Sequence, residues 1–149
     1  MAGLTNTYIH NFLSTQSSHY KGVFSSNNID KDLKYLKRFS IVCNLSKYGE
    51  IGSHFVSIIS FPDYVFYIDS LGLPCIAPSI CAFLSSLNKS VFINTRQFQQ
   101  ETSIYCGFYC IMFVLYYDKK RNFQLNFNSA LMRDNNDAKC IMYVRKLIK

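Results

Sequence analysis

The chain lacks tryptophan altogether, yet among its 149 residues it carries 11 Tyr and 13 Phe. Those rings read mainly as core, with Tyr also suited to half-wet surfaces. Its six Gly are scattered singly, so no phosphate-cradling glycine loop is present. The six Cys include no C-x-x-C pair, and Cys106 and Cys110 have no matching pair among the three His. That spacing speaks against the common zinc frameworks. The longest uninterrupted apolar run, Phe108 to Tyr117, falls far short of the roughly 20 residues of a membrane span. Met1 to Thr15 does not have the character of a signal peptide. The expectation is a soluble protein without membrane association, from a reducing intracellular compartment and with mostly free thiols.

Acidic residues are also scarce: nine Asp and Glu stand against 16 Lys and Arg, a net charge of +7 and a pI near 9.1. The densest basic clusters are Lys31 to Arg38, Lys119-Lys120-Arg121 and Arg145 to Lys149. Dispersed charge of this kind reads either as solvated faces or as a sequence-independent, salt-sensitive DNA contact. What the chain does have is apolar content, 49% against 17% charged. It reads as one globular domain over 1–149, long enough to bury about two thirds of its unfolded surface.

Along the chain, Tyr8, Ile9, Phe12 and Leu13 have helical spacing, and the polar stretch Ser14 to Ser18 follows them. Tyr20 to Phe24 reads as a brief strand or an ordered loop, and Asp30 to Phe39 has room for a helical turn. Phe39 to Leu45 reads as a strand with Ile41, Val42 and Cys43 buried, followed by a turn at Ser46 to Glu50. In His54 to Phe61, Phe55, Ile59 and Phe61 line one face and Val56 and Ile58 the other, the pattern of a central strand. Pro62-Asp63 turns it into Tyr64 to Asp69 as a hairpin. Pro78 to Leu87 is an amphipathic helix with Ile80, Phe83, Leu84 and Leu87 inward, and Val91 to Thr95 a short strand. After the Gln99-Gln100 loop, a helix runs from Cys106 to about Tyr117. Lys119 to Phe127 reads as a basic turn and extended segment. A last helix, Asp137 to Ile148, offers Ile141, Val144, Leu147 and Ile148.

The chemistry concentrates at Cys106. A Cys-Gly step opening an apolar, helix-length run puts the thiol at a helix N-terminus, where free N–H groups and the dipole favour thiolate. The antiparallel pairing above sets His54, at the start of one strand, beside Asp69, at the end of its neighbour. A thiol hydrolase needs an imidazole to hold the thiolate and an acceptor to orient that imidazole. It also needs donors for the developing oxyanion. Cys106, His54, Asp69 and the amide of Gln99 or Gln100 supply all four. Each residue also has a plainer use: Cys106 as a buried thiol, His54 as a strand-edge polar group, Asp69 as a turn former. Cys43, Cys110 and Cys140 read as inert buried thiols, and His10 and His19 as structural or surface groups.

In this order and spacing the motifs resemble the adenovirus protease (adenain) family, within the wider group that includes the SUMO-specific Ulp/SENP cysteine proteases. The matching segments are Tyr20-Lys21-Gly22-Val23-Phe24, Gly52-Ser53-His54-Phe55, Phe66 to Gly72, and Gln99 to Cys110. The resemblance implies an α+β fold with a mostly antiparallel central sheet and the nucleophile at the N-terminus of a central helix. It implies a viral cysteine endopeptidase that matures virion precursor polypeptides at small, Gly-containing sites. No cofactor is required for the chemistry, with non-specific DNA and a viral peptide as activators. A monomer in the virion and host nucleus is implied as well. Phe55 stands where the family has Trp, and Asp69 is the acid of the Ulp-like branch rather than adenain's Glu. Adenain's spacing of seven selects Gln99 as the oxyanion donor, a register that Ser103 supports; the Ulp-like spacing of six selects Gln100. The rival readings are a SUMO- or ubiquitin-like isopeptidase and a non-catalytic, basic DNA-binding virion protein on the same fold.

Overall fold

The computed structural model describes residues 3–46, 54–119 and 136–148. The turn expected over Ser46 to Glu50 falls mostly outside them, as do Gly52 and Ser53. Of the segment expected over Lys119 to Phe127, all but Lys119 lies outside as well.

Helix α1 (Asn6–Gln16) is followed by β1 (Tyr20–Ser25), a 3-10 turn at Lys31–Tyr35, and β2 (Phe39–Asn44). Next come β3 (Phe55–Ser60), β4 (Tyr64–Ile68), α2 (Pro78–Ser86) and β5 (Ser90–Ile93). Helices α3 (Cys106–Lys119) and α4 (Asn136–Leu147) complete the described chain. The five strands form one sheet in chain order. β2, β3 and β4 are antiparallel neighbours, while β1 and β5 pair parallel to the flanks. The centre is thus antiparallel, as expected, within a mixed sheet.

β3 is central because its two faces feed two cores. Phe55 and Ile59 join α1, α3 and α4 on one side. Val56 and Ile58 meet Ile80, Phe83 and Leu84 of α2 on the other. α3 is apolar all round, with every residue from Tyr109 to Leu115 buried, so it can only be an interior helix. It packs on β3 and β2 and is covered by α1 and α4.

Two elements differ in detail from the sequence pattern. α1 continues to Gln16, and the Ser14 and Thr15 hydroxyls are accommodated within it by donating back to the His10 and Phe12 carbonyls. α4 turns Cys140, Tyr143, Val144 and Leu147 inward, while Ile148 stays exposed. Its inward stripe starts at Asn136, and from there helical spacing selects 140, 143, 144 and 147.

Candidate active site

Two neighbouring strands and one helix end converge on His54, which immediately precedes β3. Its Nε2 lies 2.7 Å from Asp69 Oδ1, just past the end of β4. With Nε2 turned to the carboxylate, Nδ1 is the ring nitrogen left for Cys106, with which the ring is also hydrogen-bonded. Cys106 opens α3, and its sulfur accepts from the backbone N–H groups of Phe55 and Gly107. Burial opposes charge on both groups, but the hydrogen bonds and opposite charge outweigh it. The Cys106 thiol is lowered from its ordinary value. Desolvation works against the His54 imidazolium, yet Asp69 and Cys106 raise it to about 9. Both shifts act in the direction of thiolate with imidazolium.

Gly107 explains the Cys-Gly step. A Cβ there would lie 3.0 Å from Ile9 and 3.1 Å from Leu4. The missing side chain lets the N-terminal segment lie against the first turn of α3, beside the nucleophile.

Asp69 is buried, 1% exposed, and held from several directions. Its Oδ1 also accepts from Leu71 N at 2.8 Å, and its carbonyl accepts from Gly72 N at 2.8 Å. Asn94 clamps its backbone: Asn94 Oδ1 accepts from Asp69 N at 2.9 Å, and Nδ2 donates to Asp69 O at 2.7 Å. The parallel ladder ends with Tyr67 opposite Ile93, so the Asn94 side chain continues it where main-chain pairing stops. The turn itself needs glycine at position 72: φ is +70°, and a Cβ would meet the backbone of Thr95, Arg96 and Gln97 at 2.9 Å.

Ser70, the next residue, organises the opposite side. Its carbonyl accepts from Phe98 N and Gln99 N at 2.8 and 2.9 Å. Its hydroxyl donates to Gln99 Oε1 at 2.5 Å. Gln99 Nε2 donates to the Ser103 carbonyl at 2.8 Å. A carbonyl can only accept, which fixes the amide's orientation and leaves its second N–H uncommitted. Gln99 is buried, 2% exposed, and with His54, Cys106, Phe55, Leu71 and Ile104 it lines a cavity of about 390 Å³. Gln100 does not line that cavity. Of the five sequence candidates, His54, Asp69, Cys106 and Gln99 are thus brought together, and Gln100 is not.

Sequence reading missed the supporting groups. Asp137, on α4, accepts from Ser103 Oγ at 2.8 Å and from Tyr109 OH at 2.9 Å. Asn136 Nδ2 donates to Phe98 O at 2.9 Å. The N-terminus of α4 therefore braces both ends of the Gln99 loop. The only signal was a polar Asn-Asp pair ahead of an apolar stripe, which has no motif value by itself. Asn94 gave just as little: one polar residue after Val-Phe-Ile. Among the described residues no cluster of three or more His, Cys, Asp or Glu could hold a metal ion. No described helix is long and apolar enough to cross a membrane.

No protein-family profile matches the sequence, and no curated protein matches it. Solved structures do. The SUMO protease Ulp1, with its catalytic cysteine oxidised to a sulfonic acid, superposes with a TM-score of 0.55 at 15% identity. That likeness covers 97% of this chain and 79% of Ulp1. The ASFV pS273R protease gives 0.52 at 13% identity, over 99% of this chain and 68% of that one. AvrA with IP6 and CoA gives 0.51 at 10%, over 90% and 54%. The fold is that of the Ulp- and adenain-like cysteine proteases. At these identities the likeness concerns architecture, and the chemistry rests on the residues above.

Proposed function

We propose that this chain is a cysteine endopeptidase of the adenain-like kind, with Cys106 as nucleophile. The observation that carries the reading is the hydrogen-bonded line Cys106–His54–Asp69, in which Cys106 and His54 line one cavity and Asp69 lies buried behind the ring. Cys106 attacks the scissile carbonyl as thiolate; the His54 imidazolium then protonates the leaving amine, and Asp69 keeps the ring oriented. Water attacks the resulting thioester with His54 as base, which returns the free enzyme. The uncommitted N–H of Gln99 and the Cys106 N–H receive the oxyanion. Substrates are polypeptides, and no cofactor enters the chemistry.

The finer reading comes from the sequence resemblance: virion precursor polypeptides cut at small, Gly-containing sites, with DNA or a viral peptide as activator and a monomer as the working unit. The net charge of +7 supports an anionic activator. The test is cleavage profiling under reducing conditions on a library of small-residue and bulky-residue peptides, with and without duplex DNA. Turnover at Gly-containing sites, raised by DNA and lost at high salt, is the expected result. Efficient cleavage after bulky residues would overturn the specificity, and tight DNA binding without any turnover would favour the non-catalytic reading.

A second reading, a SUMO- or ubiquitin-like isopeptidase, has one specific support: the acid is Asp69, as in the Ulp-like branch, and Ulp1 is among the structural neighbours. Release of a fluorophore from a ubiquitin-like C-terminus, with the precursor peptides untouched, would favour it.

A further inference from the structure

Cys75 and Cys81 stand outside the machinery around Cys106, yet their sulfurs lie 3.2 Å apart. Both are free and half-buried. The pairing is built by the chain between β4 and α2. Pro74 and Pro78 bracket Cys75-Ile76-Ala77, and each ring fixes one φ. Pro78 opens α2 and Cys81 sits in its first turns. The Cys81 thiol also faces the Cys75 carbonyl at 3.5 Å, and Cys75 Sγ faces Ala77 O at 3.9 Å. From below, the buried Tyr67 hydroxyl hydrogen-bonds the Cys75 sulfur. Burial and the neighbouring Cys81 push the Cys75 thiol up to about 11, so it rests as a thiol at neutral pH.

We propose that Cys75 and Cys81 are a redox-active dithiol, a modification site that closes to an intramolecular disulfide on exposure to a small disulfide of the glutathione class. One thiol, deprotonated, attacks glutathione disulfide, forming a mixed disulfide and releasing one reduced glutathione. The other then attacks the protein sulfur, forming the Cys75–Cys81 bond and releasing the second. Two electrons and two protons pass from the protein to the oxidant. Closure brings the sulfurs from 3.2 Å to about 2.05 Å. Asp69 is anchored separately by Asn94 and by its own turn. Oxidation therefore braces the β4–α2 connection without displacing the carboxylate. The inference does not depend on the protease reading.

The test uses the full chain as Cys106→Ala, so that oxidation of the nucleophile does not interfere. The protein is equilibrated in glutathione redox buffers, quenched with acid, unfolded, alkylated, and read by intact mass and peptide mapping. Expected is one species lacking two hydrogens, with Cys75 linked to Cys81 and with Cys43, Cys110 and Cys140 alkylated. Dithiothreitol should reverse it, and the thermal midpoint should be higher in the oxidised form. Cys75→Ser and Cys81→Ser, each alone, should stop at free thiol or mixed disulfide and show no rise. Persistent free thiols at both positions, separate glutathione adducts, a link to Cys43, or a fall in thermal midpoint on closure would overturn the proposal.

Discussion

His54 is the residue on which the charge state of the site turns. Its ring is partly buried, which alone would lower its pKa, but the Asp69 and Cys106 partners raise it to about 9. The sign follows for activity: the imidazolium that protonates the leaving group persists up to about pH 9 and is lost above it. Cys106, lowered in turn, supplies thiolate from below the ordinary thiol range of about 8.5. The pH profile of kcat/KM should therefore be a bell with its basic limb near 9 and its acidic limb below the usual thiol value. In His54→Ala the inflection for Cys106 alkylation should move upward, toward an ordinary thiol. Gln99→Ala should lower kcat by 10²- to 10³-fold, about 3 kcal/mol, with the alkylation profile unmoved; Gln100→Ala should change it little. The sequence offered both glutamines because spacing motifs differ by one residue between branches. The cavity, which Gln99 lines and Gln100 does not, and the hydrogen bonds that Ser70 and Ser103 make with the Gln99 amide separate them.

At the scale of elements, one turn serves two halves of the site. Asp69 reaches back to His54 while Ser70 holds the Gln99 loop, and Gly72 closes the turn against residues 95–97. Gly72→Ala should cost roughly 2 kcal/mol, since it combines a positive φ with a backbone clash, measured as a shift in denaturant midpoint. Asn94→Ala removes two hydrogen bonds on the Asp69 backbone, and kcat/KM should fall about tenfold, near 1.4 kcal/mol. Its basic limb should drop as the His54–Asp69 pair loosens, whereas Asp137→Ala should cost a similar factor without moving either limb. The strands were legible as short apolar runs set off by turns, with β2 and β3 buried on both faces. α3 was legible from its length and unbroken apolarity. The faces of α4 were less so, because a polar residue, Asn136, belongs to its buried stripe. β5 read correctly as a strand, but nothing in Val91-Phe92-Ile93 announced that all three side chains stay exposed at the sheet edge.

For the whole molecule, the sheet works as a frame with a core on each face, and the site lies where the start of β3 and the end of β4 meet the N-terminus of the buried helix. The architecture was legible because its motifs occur in one order at fixed spacing, each on the element expected to carry it. The braces were not, because Asn94, Asn136 and Asp137 act through contacts made 25 to 38 residues away in sequence, and no local pattern encodes those. The activated nucleophile is tested most directly by labelling with a peptide vinyl sulfone ending in Gly-Gly, mapped to individual cysteines in wild type and in His54→Ala. Rapid labelling confined to Cys106 in wild type, and lost in His54→Ala, is the expected result. Slow labelling spread over several of the six cysteines, indifferent to His54, would contradict it.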